Sequence, residues 1–98
     1  MAKLTELIWL YTTITDVESA KDLAKKLIEA EVVECVNIIP QVFSIYRWED
    51  KVHEEGEAAI CIKLKPEMLV KAKELLVKYH PYQDIFVGEA VPKALIGD

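Results

Sequence analysis

Hydrophobic positions recur along this chain with two periods, and the switches between them mark its elements. Over residues 4–13, Ile8, Trp9, Tyr11, Thr12 and Thr13 make a β-branched and aromatic run that suits a largely buried strand. Val17, Ala20, Leu23, Ala24, Leu27 and Ile28 then follow three-four spacing, which gathers them on one helix face and leaves Lys21, Lys25, Lys26 and Glu29 on the other. Thr15 and Glu18 stand as in a Thr-x-x-Glu capping box, so a helix is predicted from Asp16, with Thr15 as its cap. Residues 32–39 return to an extended pattern and stop at Pro40. Proline offers no amide to a ladder, so it marks a bend, a bulge or a sheet edge.

Strict alternation follows. Val42, Ser44, Tyr46 and Trp48 share one face of the next stretch and Phe43, Ile45 and Arg47 the other. Glu49-Asp50-Lys51 reads as a turn and residues 52–55 as a polar approach. Over residues 57–65, Ala58, Ile60, Ile62 and Leu64 oppose Ala59, Cys61, Lys63 and Lys65. A long hairpin with its turn near Asp50 is the expected result. Pro66 suits the first turn of a second helix, whose apolar stripe is Met68, Leu69, Ala72, Leu75, Leu76 and Tyr79. His80-Pro81 stops that helix, since proline pushes the residue before it towards extended geometry. Residues 84–90, with Ile85, Phe86 and Val87, read as a last strand weakened by Gly88 and ended by Pro92. Strand, helix, hairpin, helix, strand is the split βαβ order of a ferredoxin-like α+β sandwich, one antiparallel sheet with two helices on one face. Residues 1–98 read as a single domain.

Composition changes the picture in one respect: 52% of the residues are hydrophobic and only three are glycine. A small monomer cannot bury that much apolar surface, so an oligomer is expected. The net charge of −5, with eleven lysines and Arg47 as the single arginine, argues against nucleic acid as a partner. No run approaches the roughly 20 apolar residues of a membrane span, and no signal-peptide pattern follows Met1, so a cytoplasmic protein without membrane contact is expected. Cys35 and Cys61 match neither a zinc ribbon nor a Cys-x-x-Cys motif and are expected to be reduced. Phosphate loops, dinucleotide fingerprints and serine elbows are absent, and no oxyanion motif accompanies Cys35. Catalysis is therefore not expected.

The unusual residues, taken in order, are Thr12-Thr13, Cys35-Val36-Asn37, Ser44-Ile45-Tyr46-Arg47-Trp48, Glu57, Lys63 and His80-Pro81-Tyr82. In that order, over residues 11–82, the chain resembles the CutA family of divalent-cation tolerance proteins. The resemblance implies a ferredoxin-like subunit that assembles into a homotrimer through its hairpin and edge strands, similar to PII signalling proteins. It also implies an association with tolerance to copper and other divalent ions, with no reaction and no obligatory cofactor. The chain departs from the family pattern at Glu34, Asp50, Leu64 and Gln83-Asp84-Ile85. It also lacks the family's terminal segment with a tyrosine and a tryptophan, so the resemblance implies either a divergent or shortened member or one in which those contacts are replaced.

Thiolate and imidazole suit copper or zinc, so Cys35 and His80 are the candidate metal ligands. Glu34, Glu57 or Asp84 of a neighbouring subunit could supply a third donor. Helix C-termini favour a protonated imidazole, and His80 stands at one. An alternative expectation, by analogy with PII trimers, is a cleft between subunits lined by Lys63, Tyr82, Trp48 and Glu57 that takes a small anionic ligand. A third is an oligomeric scaffold for another protein.

Overall fold

The computed structural model describes residues 7–82 and 85–90. Its elements are β1 (Ile8–Ile14), α1 (Val17–Glu29), β2 (Cys35–Trp48), β3 (Lys51–Leu64), α2 (Leu69–Tyr79) and β4 (Gly88–Ala90). The sheet is antiparallel throughout, in the order β2-β3-β1-β4. Ala58, Ile60, Ile62 and Leu64 of the central strand β3 are fully buried against Ala20, Leu23 and Leu27 of α1 and Ala72 and Leu76 of α2. Both helices therefore cover one sheet face, as the period-two and period-3.6 patterns require. Trp9, Tyr11, Cys61 and Lys63 lie on the opposite, uncovered face by the alternation of β1 and β3.

Several boundaries differ from those expected, each for a local reason. The cap of α1 is Asp16, not Thr15: its backbone is extended and its carboxylate accepts the Ser19 amide at 2.8 Å. That bond lowers the Asp16 pKa. Asp16→Ala is expected to lower the thermal midpoint while Asp16→Asn, which keeps an acceptor, restores most of it; calorimetry of the two variants checks this. At the other end, Glu31 adopts φ 59°, and the amides of Glu31 and Val32 return to the carbonyls of Ile28 and Leu27. This is a Schellman ending. It swings the buried Val32 and Val33 under the sheet, so the strand expected from residue 32 begins at Cys35.

β2 and β3 pair over nearly their whole length. The pairing runs from Cys35↔Lys63 to Ile39↔Ala59 and resumes one residue out of step at Val42↔Glu57. The extra residue is a β-bulge at Pro40-Gln41, on an edge strand where a missing amide is tolerated. Residues 52–55, expected as a polar approach, are paired strand. Glu49 and Asp50 close the hairpin with φ 51° and 62°, the primed geometry that matches strand twist. β1 reaches only as far as Ala58, so the distal hairpin is a two-stranded arm. The 46 Å long axis of the molecule reflects it.

Helix two enters through a 3₁₀ turn at Pro66–Met68. The last strand is shorter than expected: Thr12 donates its hydroxyl to the Phe86 carbonyl at 2.7 Å, which engages that segment with a side chain before the ladder begins at Gly88. Pro92 and Asp84, named above as a strand end and a candidate ligand, lie outside the described residues.

Candidate functional site

Pro81 fixes the geometry of the site by ending α2. His80 leaves the helix in extended conformation with its own amide still bonded to the Leu76 carbonyl. Its ring, 6% exposed, turns onto β1. Nδ1 accepts the Tyr82 amide at 3.1 Å, and an amide can only donate, so the ring proton is on Nε2 and is given to the Thr13 carbonyl at 2.9 Å. The chain closes a turn on the ring, and both nitrogens are engaged.

That turn aims Tyr82 at β3. Its phenol donates to Glu57 Oε2, and its ring meets the His80 ring edge-on. The other carboxylate oxygen accepts the Ser44 hydroxyl at 2.5 Å, diagonally across the hairpin. Burial opposes ionisation of Glu57, but the hydroxyls of Ser44, Tyr82 and Thr13 outweigh it and hold the carboxyl below its ordinary range. The Tyr82 phenol is pushed up to about 12, first by burial and then by its bond to Glu57. The bulge explains why Ser44 takes part: by moving the register one residue, it brings Val42, Ser44, Tyr46 and Trp48 onto the same face as Glu57. In the sequence, Ser44 and Thr13 stand out only as members of Ser-x-Tyr-x-Trp and Thr12-Thr13, with no ligand or cleft role assigned to them. The Ser-x-Tyr-x-Trp spacing placed Ser44 on a face, but only the bulge says which partner it meets.

Beside this network an open cleft of about 530 Å³ lies between the start of α1 and the bulge, lined by Asp16, Glu18, Pro40, Gln41, Gly56 and Glu57 among others. Of the four expected cleft residues, Glu57 and Tyr82 meet. Lys63 is six residues from Glu57 on β3, roughly 20 Å away at the rise of a strand. There it sits over the Trp9 ring at 5.5 Å. Trp48 is at the hairpin tip, 64% exposed.

The structure does not bring Cys35 and His80 together. Cys35 pairs with Lys63 at one end of the sheet, whereas His80 bonds to Thr13, which pairs with Ala59 four residues away. Glu34 forms an ion pair with Lys65 at 3.6 Å. Both cysteines are unpaired and half-buried. Burial pushes the Cys61 thiol up, with Lys63 opposing and Cys35 adding to the shift. Among the described residues no three His, Cys, Asp or Glu side chains cluster in a way that could hold a metal ion. No helix among them is long and apolar enough to cross a membrane.

Comparison with known proteins gives one consistent family. The profile of the CutA1 divalent ion tolerance protein matches residues 8–90. A CutA homolog of Xenopus laevis is 37% identical over 73 residues, 74% of this chain and 48% of that protein. The divalent-cation tolerance protein CutA of Thermus thermophilus is 39% identical over 70 residues, 71% of this chain and 68% of that one. This chain spans less than half the length of the animal relatives it matches. Among solved structures, CutA1 from Ehrlichia chaffeensis superposes with a TM-score of 0.87 at 28% identity, covering 95% of this chain and 87% of that one. CutA1 from Oryza sativa gives 0.85 at 31% identity, covering 94% and 85%. With its fold, its hairpin and its His-Pro-Tyr turn all falling within the matched segment, the chain belongs to the CutA1 divalent ion tolerance family.

Proposed function

We propose that this protein acts in divalent-cation tolerance as a non-catalytic, trimeric metal-binding protein of a reducing compartment such as the cytoplasm. The match of the family profile over residues 8–90 carries this reading. The surface supports the assembly. The hairpin arm exposes Phe43, Ile45, Trp48 and Val52, each more than three-fifths exposed, and a two-stranded ribbon is marginal in water unless something packs on it. Neighbouring protomers are the occupants that the family resemblance names.

For the ion, Cys35 is the candidate that needs no rearrangement, since its thiol is unpaired. His80 ligates copper or zinc only by releasing the Tyr82 amide from Nδ1 or the Thr13 carbonyl from Nε2. Because the two residues stand at opposite ends of the four-stranded region, each draws its further donors from elsewhere, including a neighbouring protomer. An anionic ligand is less well supported: Asp16, Glu18 and Glu57 give the cleft three carboxylates.

Native mass spectrometry of the reduced protein, before and after addition of Cu(II) or Zn(II), tests both halves of the reading. A trimer that takes up divalent ions in multiples of three is the expected result. A monomer overturns the assembly, and a trimer that stays free of both ions overturns the metal-binding role.

A further inference from the structure

The register of β2 on β3 places two thiols on one face of the sheet. Cys35 pairs with Lys63 and Asn37 with Cys61, and these are successive rows of the same face. Cys35 and Cys61 are therefore diagonal neighbours on adjacent strands, with Cα atoms about 7–8 Å apart and Cβ atoms somewhat closer. They belong to the uncovered face, with Trp9 and Tyr11 in the same two rows on β1. Cys35 lies on the edge strand β2 and, like Cys61, is half-buried.

Distance decides what such a pair can do. A disulfide needs Cβ atoms roughly 3.5–4.5 Å apart, closer than diagonal neighbours come without backbone movement. A metal between the sulfurs relaxes that demand, since two metal–sulfur bonds of about 2.3 Å separate the sulfurs by up to about 4.6 Å. Thiolates select soft ions. Charge then favours one class among them. Two thiolates around a monovalent cation leave one negative charge, and the Lys63 ammonium, directly across from Cys35 and two residues from Cys61, offsets it. Around a divalent cation the pair is already neutral and Lys63 is left uncompensated on a half-buried row.

We infer that Cys35 and Cys61 form a two-coordinate dithiolate site for a soft monovalent cation, Cu(I) or Ag(I). Binding forms two metal–sulfur bonds and releases one proton from each thiol to solvent, with no change of oxidation state. The inference deepens the metal-binding reading above, on which it rests, by replacing His80 with Cys61 as the partner of Cys35 and by naming the ion class.

The test is titration of the reduced protein with Ag(I), and anaerobically with Cu(I), against a competing chelator, followed by native mass spectrometry. One ion per subunit is expected. Cys61→Ser is expected to weaken retention at least ~100-fold, because even loss of an outer-shell partner of a metal site costs 10–100-fold. Equal retention in Cys61→Ser overturns the site. A second readout uses no variant: alkylation of the native protein with and without one equivalent of Ag(I). Joint protection of Cys35 and Cys61 is expected, and protection of one thiol alone, or uptake of two ions per subunit, overturns the pairing. Failure here is separable from failure of the wider reading. Cu(II) or Zn(II) uptake that persists without Cu(I) or Ag(I) uptake sinks only the dithiolate site, and the reverse sinks only the divalent-ion role.

Discussion

Ile60→Ala is expected to lower the unfolding free energy by about 2 to 5 kcal/mol, the range for truncating a fully buried aliphatic side chain. Ile60 sits at the middle of the central strand, paired with Thr12 on β1 and Ile38 on β2, and is 0% exposed. Three carbons would be removed beneath both helices, and the sheet cannot collapse into the gap because β3 is laddered on both sides. A domain of this size has roughly 5–15 kcal/mol in total, so the variant stands close to unfolding. Guanidinium denaturation at one fixed protein concentration measures it, since assembly makes the midpoint concentration-dependent. A loss below about 1 kcal/mol would show that the core repacks and that the helices are less firmly seated on β3 than the burial implies.

Tyr82→Phe is expected to cost about 2 kcal/mol, in the range for a hydrogen bond to a charged group. The change keeps the ring against His80 and removes only the donor to Glu57. The pH dependence follows from the same bond. Glu57 titrates below its ordinary range in the folded protein, so its contribution is present above that range and is lost as pH falls through the lower folded value. Tyr82 is shifted the other way, to about 12 from 10. Its contribution is complete below pH 10 and declines as pH rises towards about 12. Tyr82→Phe should therefore flatten the alkaline limb of stability against pH, while Glu57→Gln flattens the acid limb. Unchanged limbs in both variants would show that the network contributes nothing to folding.

The elements were legible in the sequence wherever one side-chain period ran uninterrupted. Leu23 and Leu27 or Ile60 and Ile62 share a face through backbone geometry alone, so no tertiary information was needed to place them in the core. Boundaries were less legible because they depend on single bonds. Thr15 and Asp16 are both competent caps, and the choice of Asp16 rests on which side chain reaches the Ser19 amide. The shortened last strand depends on Thr12, 74 residues away from Phe86 in the chain, taking the carbonyl with its hydroxyl.

The site divides in the same way. Sequence by itself determined that a histidine would stand at the end of a helix, that Pro40 would disturb a strand, and that two thiols would occupy strands. These follow from proline's missing amide and from period-two alternation, both properties of a few adjacent residues. Tertiary structure alone decided the partners. His80 took Thr13 and the Tyr82 amide and did not meet Cys35; the one-residue bulge delivered Ser44 to Glu57; and the register of β2 on β3 set Cys35 diagonal to Cys61. The reason is that each of these contacts joins segments distant along the chain. Their alignment is set by strand register, and a shift of one residue in that register carries every side chain of a strand to the other face.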